Sequence, residues 1–236
     1  MPYLSPEELS ALRLSLQVAA CCTLAALLPA MFCGWLLARR EFPGKALVDA
    51  AVHLPMVLPP VVPGYLLLLL FGANGVIGRW LDAWFGISFA FNWKGAALAS
   101  AVMGFPLMVQ AVRVAMQMVD RRLEDAARTL GARAPDVFFS ITLPLALPGI
   151  LVGALLMFSR SLGEFGATIT FVGNVEDETR TLPLAIYSAI QSVNGEHMAG
   201  RLIVISLILA FGSLLLSNHL TRRAARRLGY QNHAGH

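Results

Sequence analysis

The residues that could ligate a metal or act as nucleophiles in this chain of 236 residues are three cysteines, Cys21, Cys22 and Cys33, and five histidines, His53, His197, His219, His233 and His236. The histidines are scattered without the paired spacing of a zinc site, so no metal is expected. The cysteines share one apolar stretch, where an odd thiol count points to packing and not to a disulfide framework. Pro43, Gly44 and Lys45 come nearest to a phosphate-binding loop, but the upstream glycine and the following Ser or Thr are missing. No motif sets a Ser, a His and an acid together, which leaves covalent catalysis without support. The chain therefore reads as a non-enzyme with no cofactor. Its remaining chemistry is that of ionisable groups in apolar surroundings. Arg160 and Glu164 stand at i, i+4, a spacing that allows an ion pair on one helix face. Either group alone at a membrane centre would cost about 2.5 to 3.5 kcal/mol.

The elements that position these groups follow from composition. Hydrophobic residues make up 57% and charged residues 14%, against about 25% charged in a soluble domain. Disorder is excluded because it needs low hydrophobicity and high net charge. Stretches without Asp, Glu, Lys or Arg run over 14–38, 50–78, 95–112, 137–159 and 202–221. About 20 apolar residues cross a hydrocarbon core as helix, which gives five spans in a single transmembrane domain over 1–236. A sixth stretch, 181–195, is short and polar, and reads as a short helix tucked into the bundle or the interface. Ser5, Pro6 and Glu8 form a capping box that starts the first span. No positive segment precedes it and it is longer than a signal-peptide core, so it is expected to be retained. Pro55, Pro59, Pro60 and Pro63 break the second span, and broken backbone at membrane depth belongs inside protein or along a wet cavity. Trp80, Trp84, Phe85 and Trp93, in the loop that follows, suit a short interfacial helix.

Lysine and arginine fix the expected orientation. Arg39, Arg40, Lys45, Arg113, Arg121, Arg122, Arg128, Arg133, Arg222, Arg223, Arg226 and Arg227 lie on one side of the five-span plan, twelve of the 18 in the chain. The positive-inside rule makes that side cytoplasmic, with the N-terminus outside and a basic cytoplasmic tail over 222–236. The net charge of +4 is thus read as topology, and no nucleic-acid partner is expected.

Between the third and fourth spans, Leu123, Ala126, Ala127 and Leu130 fall at i, i+3, i+4 and i+7, one apolar face of a short helix. Gly131 stands where a C-cap glycine belongs and Pro135 opposes continuation. Periodicity alone fits a helix packed on its own bundle or on lipid. The longer pattern is Asp125, Ala126 and Ala127, then Gly131, then Ile141, Thr142, Leu143 and Pro144. It resembles the Glu-Ala-Ala loop of ATP-binding-cassette importer permeases, with Asp125 in place of Glu and Glu124 beside it. The resemblance extends to ARREFPGKALVDA (38–50), LPMVLPPVVPGYLLLLLFG (54–72), SLGEFGATITFVGN (161–174) and ETRTLPLAIYSAIQ (178–191), which look like the molybdate branch of that family, a close relative of the sulfate permeases.

That resemblance implies an all-α membrane protein of the type I importer permease fold in a bacterial inner membrane. It implies a coupling loop over about 120–144, in which Glu124, Asp125, Ala126, Ala127, Leu130, Gly131, Ile141, Leu143 and Pro144 meet a separate ATPase subunit. The implied partners are two such ATPases, a second copy of this chain, a periplasmic oxyanion-binding protein and membrane lipid. A translocation path or gate is implied at Arg160, Ser161, Gly163, Glu164, Phe165, Gly166, Thr168 and Thr170. Because an acid repels a dianion, Glu164 is read as shaping the outer gate while the hydroxyls and glycines around it face the path. Molybdate and tungstate are not separated by the resemblance, and sulfate or thiosulfate is the alternative substrate. A self-sufficient secondary transporter is the alternative class, which inverted repeats or several buried acids would favour.

Overall fold

The structure, a computed structural model, describes residues 4–193 and 195–227, and among these all regular elements are helical. Helix α1 spans Pro6–Arg39 and begins as its capping box requires: the Glu8 amide donates to Ser5 Oγ at 3.2 Å and the Ser5 amide to Glu8 Oε2 at 2.7 Å. Two further long helices, α5 (Trp93–Met118) and α8 (Leu143–Leu162), pack on it to form the centre of the bundle. Cys22, Ala30, Leu37, Met108, Val112, Met116, Ile150 and Met157 fill that core. A Cβ on Gly149 would stand 2.4 Å from Ala115 Cβ, so α5 and α8 approach at a distance only a glycine allows. Small residues at such crossings are how helices associate in lipid, where apolar burial alone gives no drive. Of the three cysteines Cys22 is buried in this core, and Cys21 and Cys33 are half-buried.

The proline-rich stretch forms two helices, α2 (Lys45–Val57) and α3 (Val61–Phe71), bent by 112° at the break between them. Pro59 and Pro60 have no N–H to continue the α2 ladder, which stops at Leu58. By length and composition four helical stretches could cross a membrane, Pro6–Arg39, Trp93–Met118, Ala134–Leu162 and Glu196–Leu216, and the bent pair makes a fifth if it counts as one span. The second expected span is therefore a sharply bent pair of helices and not a straight rod. Helix α4 (Val76–Phe85) follows, with Trp80, Trp84 and Phe85 exposed on it.

The short helices α6 (Arg121–Thr129) and α7 (Ala134–Val137) link α5 to α8 through a π turn over Phe138–Thr142. There the Leu143 amide reaches back to the Phe138 carbonyl, just before Pro144, which has no amide to donate. Such π turns are rare and gather at functional sites. After α8 come α9 (Gly166–Val172), α10 (Leu182–Gln191) and α11 (Glu196–Arg227). The sixth stretch is thus the short helix α10, packed on α11 and α1, and its Leu182 amide donates to Ser15 Oγ at 2.7 Å. Of the expected basic tail, 222–227 continue α11, and 228–236 lie outside the described residues.

Candidate functional site

Helix α6 has two faces of opposite character. Asp120 caps it by accepting from the Arg122 amide at 2.9 Å. At its other end Gly131 takes φ +90°, the Ala132 amide donates to the Ala127 carbonyl and the Gly131 amide to the Arg128 carbonyl. This paired pattern is a Schellman cap, which needs the left-handed residue that glycine supplies. On one face Leu123 is 50% and Leu130 89% exposed, with Ala126 exposed and Ala127 partly so. The apolar face of the helix is thus not packed on its own bundle.

Of the charged residues on this helix only Glu124 turns inward, while Arg121, Arg122, Asp125 and Arg128 are exposed. Glu124 is buried, and its Oε1 accepts from Arg39 Nη2 at 3.0 Å and from the Thr142 hydroxyl at 2.6 Å. Arg39 Nη2 also donates to the Val119 carbonyl at 3.1 Å. One carboxylate therefore joins the end of α1, the end of α5, the root of α6 and the entry to α8. Asp125, exposed, pairs with Arg128 at 2.9 Å. The two acids set side by side in the motif hold different places: Glu124 anchors the helix, and Asp125 stays on its surface. Of the four residues 141–144, Thr142 reaches the anchor, Ile141 and Leu143 are half-buried and Pro144 is exposed. Beside this region the exposed Glu41 carboxyl accepts from Lys45 Nζ at 2.7 Å, which lowers its pKa below the ordinary value.

A second constellation lies where α8 breaks into α9. Glu164 is 2% exposed and pairs with Arg160 at 2.7 Å, and its Oε1 accepts from the Ala167 amide at 2.9 Å, capping the new helix. Ser161 is buried and accepts from Cys22 Sγ at 3.2 Å; Thr168 is buried; the Thr170 hydroxyl donates to the Gly166 carbonyl at 2.8 Å. Phe165 stacks obliquely on Tyr187 of α10, ring centres 5.1 Å apart. Gly163 is exposed at the break. The break meets the proline break of α2 and α3 directly. A Cβ on Gly166 would lie 2.7 Å from Pro60 Cβ, and one on Gly64 would lie 2.6 Å from the Ala167 carbonyl oxygen. The residues expected at a gate are therefore brought together, and Ser161, Glu164 and Thr168 stand buried behind the surface of the chain.

Three polar links escaped the sequence reading. Arg39 and Arg113 entered it only as topology charges, yet Arg113 Nη1 donates to both carboxylate oxygens of Asp49, at 3.0 and 2.9 Å, and fastens α2 to α5. Glu8, read as a cap, is fully buried and also accepts from Arg201 Nε of α11 at 2.8 Å. Thr142 lay inside the motif, but nothing there marked its hydroxyl as the partner of Glu124.

Residues 30–228 match the family described as binding-protein-dependent transport system inner membrane component, and the chain belongs to that family. Among its relatives, the molybdenum transport system permease protein ModB of Escherichia coli K12 is 58% identical over 226 residues, covering 96% of this chain and 99% of that one. ModB of Haemophilus influenzae is 56% identical over 225 residues, covering 95% and 98%. The sulfate transport system permease protein CysT of Escherichia coli K12 is 37% identical over 192 residues, covering 80% and 69%. The fold is shared with a bacterial transporter for import of the acidic polysaccharide alginate, TM-score 0.73 at 18% identity over 93% of this chain and 80% of that one. It is also shared with the MetNI methionine transporter in an inward-facing form, TM-score 0.66 at 16% identity over 94% and 99%.

Proposed function

We propose that this chain is the membrane-spanning subunit of an ATP-driven, binding-protein-dependent importer of molybdate. Near-full-length identity to ModB proteins supports the substrate, and it exceeds the identity to the sulfate permease CysT by about 20 percentage points. The observation that carries the coupling role is the uncovered apolar face of α6 above a buried ionic anchor. A helix fixed at its root and open on its apolar side is built to seat in another protein, here a separate ATPase subunit. Two copies of the chain form the pore and a periplasmic binding protein delivers the oxyanion. The assembly lies in the bacterial inner membrane, with the end of α11 and the α6 helix on the cytoplasmic side. Glu164 holds the outer gate through Arg160 and the α9 amide, and selection rests with the binding protein.

The test is co-purification of the ATPase with a stably inserted Ala127→Glu permease, alongside molybdate uptake. Loss of both with the bundle intact is expected, and normal association with normal uptake sinks the coupling role. The substrate is tested by which oxyanion on its binding protein, molybdate or sulfate, stimulates ATP hydrolysis by the reconstituted complex.

A further inference from the structure

A cavity of about 720 Å³ lies under α6, on the side opposite the apolar face. Arg39, Arg40, Arg121 and Arg128 line it, against the two carboxylates of Glu124 and Asp125. Those carboxylates pair with Arg39 and Arg128, whereas Arg40 and Arg121 have no carboxylate within ion-pair distance among the described residues. The Arg39 side chain is only 9% exposed, and its Nε is buried without a hydrogen-bond partner among the described residues. An uncompensated positive cavity with an unpaired buried donor fits an anion that brings several acceptor oxygens.

The other wall is aromatic. Trp35 and Phe138 also line the cavity, edge to face at 6.4 Å, and the Arg40 guanidinium sits 5.6 Å from the Trp35 ring centre. From Trp35 an apolar stripe runs along α1 at i, i+3 and then i, i+4 spacing: Phe32, 61% exposed, Leu28, 73%, and Leu24, 70%. A basic cavity continuous with an exposed apolar track suits an amphiphile and not a free ion. Basic pockets between spans on the cytoplasmic side hold anionic headgroups in this way.

We propose that this cavity binds the phosphate of one anionic phospholipid, with its acyl chains along Phe32, Leu28 and Leu24. The proposal rests on the cytoplasmic placement of α6 under the proposed function. It gives α6 two partners on opposite faces, ATPase outward and lipid inward.

The permease–ATPase complex is reconstituted in nanodiscs of phosphatidylcholine with a minor share of phosphatidylglycerol, and retained lipid is read by native mass spectrometry. Wild type is expected to enrich phosphatidylglycerol over the bulk ratio, and millimolar inorganic phosphate is expected not to displace it. Arg40→Gln with Arg121→Gln should weaken enrichment by about tenfold or more, while Arg40→Lys with Arg121→Lys keeps much of it. Arg122→Gln with Arg133→Gln removes equal charge outside the cavity and should leave enrichment intact. Equal losses in both glutamine pairs, no enrichment in wild type, or displacement by inorganic phosphate overturns the site. Enrichment by a permease that fails to retain the ATPase supports the lipid site and counts against the coupling role alone.

Discussion

The Arg39 guanidinium stands 3.0 Å from the Glu124 carboxylate although 85 positions separate them, and each side chain is only 9% exposed. Removing one partner of such a buried pair leaves the other uncompensated, at a cost of about 3–5 kcal/mol. Glu124→Ala should lower the melting temperature of the purified permease and reduce ATPase retention. Glu124→Gln, which keeps an acceptor for Arg39 and Thr142, should do less. Equal stability and retention in wild type and the alanine variant would exclude the anchor role.

Gly131 provides a second test of the same helix. A β-branched side chain at φ +90° meets a steric cost of about 1–2 kcal/mol, so Gly131→Val should loosen the Schellman cap and weaken ATPase retention. Gly131→Asn should be milder, because asparagine visits the left-handed region. The ranking of the two by pull-down is the measurement, and indistinguishable variants would argue against a required cap.

At the proposed gate, Glu164→Ala strips the Ala167 amide of its acceptor in a buried setting, a loss of about 1–3 kcal/mol. The thermal stability of the complex should fall together with uptake. Glu164→Gln should recover most of the stability by restoring the cap. Were Glu164 also a direct ion contact, Glu164→Gln would keep the stability and still lose uptake.

Reporter fusions test orientation. A reporter following α11 should be cytoplasmic and one inserted near Asp177 periplasmic. Accessibility of both from the same side would refute the five-span plan, because α11 would not cross.

Local rules were enough for part of this architecture. The Ser5 and Glu8 cap, the break at Pro59 and Pro60, and the Gly131 terminus each depend on chemistry within a few residues, and each stands where those residues lie. Periodicity also marked the two faces of α6. It could not say which turned inward, because that depends on Arg39 and Thr142 arriving from distant helices. The ties of Asp49 to Arg113 and Glu8 to Arg201 were hidden for the same reason. The prolines in the stretch 50–78 marked the break but not its angle, because the 112° turn between the two helices depends on what they pack against. The motif resemblance singled out the segment where α8 breaks into α9, but not the burial of Ser161 and Thr168.

Helix α1 is pinned by charge at both ends, Glu8 to Arg201 at one and Arg39 to Glu124 at the other. Its 34 residues reach about 50 Å at 1.5 Å per residue. In mechanical terms it is a tie-rod: a load applied to α6 arrives at the root of α11 on the opposite face with little stretch between. Compliance then concentrates in the two hinges that touch each other, at Pro59–Pro60 and Gly163–Phe165. Spin-label distances from end to end of α1 should stay constant through a transport cycle while those across either hinge change.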